Sequence, residues 1–224
     1  MKRCIILLVF FIALRPYAQN CGGYYYLQNN KTVEMSMLDK KGDLSGKLVY
    51  TVRDVQNDNN EMSASVESQI FDKKGRTIAK GSSRMKCNGG VMMMNMKMMI
   101  PAPQAEQFSQ ASAKSDDFYI EYPVSMNKGD ELKEGRLTME VDNNGLQQSI
   151  SINVYDRKVE DKEKVTTPAG TWDCYKISYK NKMSIRMMGV GIPMNIEGTE
   201  WYAPGFGVVK SYSKHGTMEI TAIK

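Results

Sequence analysis

The chain reads as all-β: an antiparallel meander of about 10 to 12 strands curled into a barrel, half-barrel or β-roll, with at most one or two short helices. Three observations lead there. The loops Asp39-Lys40-Lys41-Gly42 and Asp72-Lys73-Lys74-Gly75 are near-identical, and Ser213-Lys214-His215-Gly216 repeats the pattern, each placing glycine where a tight hairpin needs positive φ. Between such turns, apolar and polar residues alternate with the period of two that marks a half-buried strand. A twisted sheet of that many strands does not stay flat and open, so it curls.

At the N-terminus, Lys2 and Arg3 precede an apolar run from Cys4 to Leu14, followed by Arg15-Pro16-Tyr17-Ala18. This is the order of an export signal, so residues 1–18 are expected to be removed, leaving a single antiparallel β domain over 19–224. The run is about 11 residues against the roughly 20 that span a bilayer, and no later segment comes close. No transmembrane segment is therefore expected in the mature protein. Asn20, not a small residue, stands before Cys21, which argues against lipidation. Loss of the signal lowers the formal charge from +5 to about +2. With no basic cluster, nucleic acid is not an expected partner.

Three cysteines remain, Cys21, Cys87 and Cys174, in an oxidising compartment. Cys21 and Cys87 each precede glycine-rich turns where geometry is adaptable, and they are the expected disulfide. Cys174 lies within a strand-like run and is expected to be buried and inert.

Along the chain, Leu48, Tyr50 and Val52 share one strand face. Val91 to Ile100 follows, and on a continuous strand one face would be Met92, Met94, Met96, Met98 and Ile100, a ribbon of thioethers. Such side chains are unbranched, polarizable and adaptable. They suit an irregular core, a pocket for an apolar ligand, to which Met139, Met183, Met187, Met188 and Met194 could contribute, or soft Cu(I) coordination. Ala102 to Ala113, opened by Pro101 and Pro103, is the helix candidate, with a long surface loop as its alternative. Further alternating faces are Leu137, Met139 and Val141; Ile150, Ile152 and Val154; Tyr175, Ile177 and Tyr179; and Met218 with Ile220. In Trp201-Tyr202-Ala203-Pro204-Gly205-Phe206, a strand ends in large aromatics and reverses. Trp201, Tyr202 and Phe206 are either a corner that packs the core or an aromatic rim at a cavity mouth.

No catalytic constellation is legible. The single histidine, His215, sits in a turn and cannot centre a nucleophile–base–orienter triad. No glycine loop lies between a strand and a helix to cradle phosphate. Asp116-Asp117 and Asp142-Asn143-Asn144-Gly145 lack the spacing of a calcium loop, and scattered cysteines with one histidine do not make a zinc site. No metal, cofactor or enzymatic activity is expected.

Asp39-Lys40-Lys41-Gly42, the stretch Thr166 to Ile177 and the stretch Trp201 to Ser211 together resemble the landmarks of the TapB-like family of exported proteins of Gram-negative bacteria. The resemblance covers nearly all of the mature chain. It implies an antiparallel β domain beyond the inner membrane, of unknown function, with a lipid-binding label on related structures and no catalytic residues to carry over. The function expected is that of a non-enzymatic exported envelope protein, periplasmic or extracellular. It would bind a lipid or other apolar ligand in a cavity lined by Met92, Met94, Met96, Met98, Trp201, Tyr202 and Phe206. The alternatives are a structural or adaptor domain with a closed methionine core and an envelope protein as partner, or a Cu(I)-binding protein.

Overall fold

In the computed structural model, which describes residues 21–59, 61–101, 104, 108, 111, 118–143 and 145–224, the repeated loops fold alike. Asp39 Oδ1 accepts the backbone N–H groups of Lys41 (2.8 Å) and Asp43 (3.1 Å). Asp72 Oδ1 accepts those of Lys74 and Arg76, both at 2.9 Å. Gly42 and Gly75 take φ of 85° and 79°, so one sequence pattern makes the same aspartate-capped hairpin twice.

Thirteen strands are present among the described residues. They are β1 (Thr32–Asp39), β2 (Leu44–Asp58), β3 (Glu61–Asp72), β4 (Thr77–Asn88), β5 (Val91–Asn95), β6 (Tyr119–Tyr122), β7 (Glu131–Leu132), β8 (Gly135–Asn143), β9 (Leu146–Thr167), β10 (Gly170–Met187), β11 (Val190–Ala203), β12 (Gly207–Ser213) and β13 (Gly216–Ile223). They form one antiparallel sheet in the order β6-β5-β4-β3-β2-β1-β13-β12-β11-β10-β9-β7, with β8 also paired to β9. The first and last strands meet in mid-sheet, where Val33 faces Ile223 and Asp39 faces Gly216. The expected all-β meander is the fold, curled into a nearly closed barrel.

The two free edges approach each other without completing a ladder. Arg157 Nη1, on β9, donates to the carbonyls of Glu121 on β6 (3.0 Å) and Lys133 beside β7 (2.9 Å). Lys133 also pairs with Glu121 at 2.8 Å. At Gly135, where β8 begins, any Cβ would run into Ile120 Cδ1 of β6 and meet Met96 Sδ at 2.8 Å. The absence of a side chain lets the edges come together there.

The interior is built from the alternating faces. Leu48, Tyr50, Val52, Leu137, Met139, Ile150, Ile152, Val154, Tyr175, Ile177 and Ile220 are all buried. Antiparallel pairing sorts the connections to two ends. The β1–β2, β3–β4, β8–β9, β10–β11 and β12–β13 turns lie at one, called here the distal end. The β2–β3, β4–β5, β9–β10 and β11–β12 turns lie at the proximal end, which two short 3-10 turns, Cys21–Gly23 and Tyr25–Leu27, cover. Tyr25 N–H donates to Gly205 O (3.0 Å) and the Tyr24 hydroxyl to Gly90 O (3.0 Å), pinning this cover across two proximal connections. Cys21 is joined to Cys87 with Cα atoms 5.6 Å apart, the expected pairing, and Cys174 is free and buried.

The helix candidate Ala102 to Ala113 falls largely outside the described residues. Within it, Phe108 N–H donates to Gln104 O at 3.1 Å and the Phe108 ring is buried. The thioether strand is shorter than the alternation implied. β5 ends at Asn95, whose side chain accepts the Lys97 N–H (2.9 Å) and so caps a 3-10 turn over Met96–Met99. Among the described residues, no helix is long and apolar enough to cross a membrane.

Candidate functional site

The methionine segment lies against the proximal half of the barrel. Met92 is buried and paired across to Cys87 on one side and Tyr122 on the other, so it packs beside the disulfide. Met94 faces Met85 and Ile120 and is partly buried. Met96, in the 3-10 turn, is fully buried against the β8 edge, while Met98 is half-buried. A cavity of about 50 Å³ adjoins Met98 and is bounded also by Leu48, Tyr50, Ile70, Ile100 and Phe108. Ligand pockets are usually about 300 to 1,000 Å³, so this space holds little more than one or two waters.

The three aromatics do not share a surface. Trp201 and Tyr202 are consecutive in β11 and must point to opposite faces. Tyr202 is buried and stacks on Tyr122, ring centroids 4.4 Å apart and planes parallel to 1°. Trp201 lies on the outside, where its indole N–H donates to Glu163 and Lys176 sits over its ring at 5.8 Å. Phe206 turns back under the N-terminal cover, 4.6 Å from Trp172, 5.2 Å from Tyr25 and 5.6 Å from Tyr26 between ring centroids. Tyr202 and Phe206 thus join the core of the proximal end, and Trp201 is only partly buried against it.

A polar cluster that the sequence reading missed occupies the barrel seam. The Arg157 side chain is fully buried, and its guanidinium lies 4.9 Å from the Tyr122 ring centre, with Nη2 3.5 Å from Glu200 Oε1. The Tyr122 hydroxyl donates to the Glu200 carboxylate at 3.1 Å, and the Tyr202 hydroxyl to that of Tyr24 at 3.4 Å. Burial raises the Glu200 carboxyl above the ordinary range, with Arg157 and the Tyr122 hydrogen bond pulling the other way. Burial likewise pushes the Tyr122 and Tyr202 hydroxyls far up, so both stay protonated donors. Arg157 faces inward because β9 carries an extra residue between Tyr155, opposite Lys180, and Lys158, opposite Ser178. Asp156 takes up that bulge at φ 49°. Asp156, which interrupts the alternation of Ile150, Ile152 and Val154, was the available signal.

The cluster has a carboxylate but no nucleophile. Cys174 lies elsewhere, its thiol pushed up to about 12 by burial, Asp173 and Glu163, so it is protonated and unreactive at neutral pH. An open groove of about 320 Å³ between Tyr179 and Tyr212 carries Asp156, Lys180, Glu197 and Thr199 at its walls. Among the described residues, no three His, Cys, Asp or Glu side chains gather to hold a metal ion.

A nearly closed all-β barrel with a buried Arg–Glu–Tyr seam is the class of protein these features define. The chain matches the DUF3108-like family over residues 28–221 and belongs to it. Two solved structures share the fold. One is a candidate exported protein of Bacteroides fragilis described as having a YmcC-like fold, 26% identical, covering 88% of this chain and 96% of its own, with a TM-score of 0.68. The other is a candidate lipoprotein of Parabacteroides distasonis, 20% identical, covering 89% of this chain and 98% of its own, with a TM-score of 0.70. No curated protein matches.

Proposed function

We propose that the protein is a non-catalytic scaffold or adaptor of the cell envelope, exported by residues 1–18, whose methionines are core and whose partners meet its outer surface. The observation that carries this reading is the small space at the thioethers: about 50 Å³ beside Met98, with Met92 and Met96 both buried. The description of the Bacteroides fragilis neighbour as an exported protein supports the location. The narrower TapB-like resemblance of Asp39 to Gly42, Thr166 to Ile177 and Trp201 to Ser211 implies the same location.

A second reading, an apolar-ligand carrier, keeps one observation in its favour. The same cavity is bordered by Ile100 and Phe108, so displacement of the Phe108 ring would open it toward the methionines. Native mass spectrometry of protein purified gently from the envelope separates the two. The scaffold reading expects the bare polypeptide mass, and a retained acyl species would favour the carrier. Cu(I) capture fits less well, because the thioethers are divided between β5 and a 3-10 turn and two of them are buried.

A further inference from the structure

Exposed apolar side chains are concentrated at the distal end. Met187, Met188, Val190 and Ile192 are 53%, 71%, 75% and 74% exposed. All sit at the tip of the β10–β11 hairpin, where Met187 pairs with Val190 and Ile185 with Ile192. Met194, 38% exposed, continues the row, and Leu146, 46% exposed, adds the neighbouring β8–β9 turn. The Met188 N–H donates to Gln147 O at 3.1 Å, tying the two turns together. From Met187 to Ile196 the sequence carries no charge, in a chain that is 25% charged.

This hairpin projects. β12 begins pairing with β11 only at Gly198, opposite Ser213, so the eight residues Val190 to Glu197 have no partner on that side. At about 3.3 Å per residue they run about 26 Å past the β12–β13 turn along the strand. Pro193 lies within this open edge, which blunts it as a template for another strand. Backbone pairing with a second copy is thus disfavoured, and what the hairpin offers is its apolar side chains.

The rim around it is basic. The distal turn residues 39–43, 72–76, 142–146, 186–190 and 213–216 hold seven lysines and arginines against four aspartates. Lys40, Lys41, Lys73, Lys74, Arg186 and Lys214 are all exposed. The proximal connections 58–61, 88–91, 167–170 and 203–207 hold two acids and no base. An uncharged apolar prong standing in front of a basic rim matches a surface that is anionic outside and apolar beneath. We infer that the distal end docks on an anionic phospholipid bilayer, with Met187, Met188, Val190 and Ile192 entering the interface, Arg186 of the hairpin contacting headgroups, and the turn lysines, set back by the length of the prong, adding longer-range attraction.

The test is flotation of the purified chain with vesicles of phosphatidylcholine alone or with about one third phosphatidylglycerol, the anionic content that gives a surface potential lysines respond to. The inference expects binding at least tenfold stronger to the anionic vesicles. It expects a further loss of tenfold or more in the double variant Met188→Asp, Ile192→Asp, and a smaller loss in Lys73→Glu, Lys74→Glu that shows at low salt and disappears at high salt. Ile223→Asp, at the opposite end, should bind as the parent does. Unchanged melting temperatures would show that the variants are folded, as their exposure implies. Equal binding to both vesicle types, binding indifferent to the Met188 and Ile192 changes, or no binding at all would overturn the inference. So would a concentration-dependent dimer abolished by Ile192→Asp in protein that ignores vesicles.

Discussion

The two ends of the barrel are made from the same hairpins and treat apolar residues in opposite ways. At the proximal end, Tyr24, Tyr26, Phe206, Tyr202, Met92 and the Cys21–Cys87 bridge are buried beneath an N-terminal cover. At the distal end, Met188, Val190 and Ile192 stand in solvent. The difference is one of cover and of composition. The proximal apolar residues lie under the N-terminal turns, and the β9–β10 hairpin that outruns its neighbours there carries the charged run Glu160 to Lys164, whereas β11 outruns β12 by eight residues in a stretch that is uncharged from Met187 to Ile196. One apolar face running from Ile152 through Met183 to Met194 therefore starts in the core and finishes uncovered.

Substitutions can break this contrast, beginning with the seam that seals the barrel. Arg157→Met removes one partner of a buried ion pair and leaves Glu200 and the Glu121 and Lys133 carbonyls without it. Urea unfolding should show a loss of about 3 to 5 kcal/mol. Replacing Cys21 and Cys87 by serine opens a loop with a sequence separation of 66 and should cost about 4 kcal/mol in the chain-entropy model, read from the same curves with and without reductant. Met96→Gln buries an amide with no partner and should cost about 1 to 3 kcal/mol. Met188→Gln, the same change at the distal end, should stay within about 0.5 kcal/mol, the usual range for exposed positions. Equal losses at Met96 and Met188 would erase the distinction between the ends.

Acid and base should act on different carboxylates. Glu34 is lowered by hydrogen bonds from Lys224 and Lys47. Its contribution is present above the ordinary glutamate value and is lost as pH falls through its folded value. Glu200 is raised by burial. Its contribution is complete below the ordinary value and declines as pH rises through its folded value, because the folded protein holds the proton longer. The stability difference between Glu200→Gln and the parent should therefore move in the variant's favour as pH climbs above about 4.5, the carboxylate range. A flat difference from pH 4 to 8 in paired urea titrations would contradict the assignment.

Most of the fold was legible because its determinants are local. Repeated Asp-Lys-Lys-Gly turns and alternation at Leu137 to Val141 or Ile150 to Val154 need no knowledge of distant residues. The Cys21–Cys87 pairing followed from turn flexibility and compartment. The site was less legible. That Trp201 and Tyr202 separate was implicit in the period of two, which neither the corner nor the rim reading of Trp201, Tyr202 and Phe206 used. The end of β5 at Asn95 depends on that side chain capping the next turn, which competes with strand alternation over identical methionines. Arg157 points inward only because a bulge shifts the phase of β9, and Met194 is exposed only because β12 stops at Ser213. Both depend on pairing that a single strand does not encode.

Residue-resolved amide hydrogen exchange in the absence of lipid tests the contrast most directly. Amides of Cys87 and Met92, whose strands are laddered on both sides, should exchange only through global unfolding. Amides from Val190 to Ile196 on the open side of β11 should exchange faster by several orders of magnitude. Comparable protection at the two ends would mean that the distal hairpin is covered in solution, and the account of an open, docking end would fail.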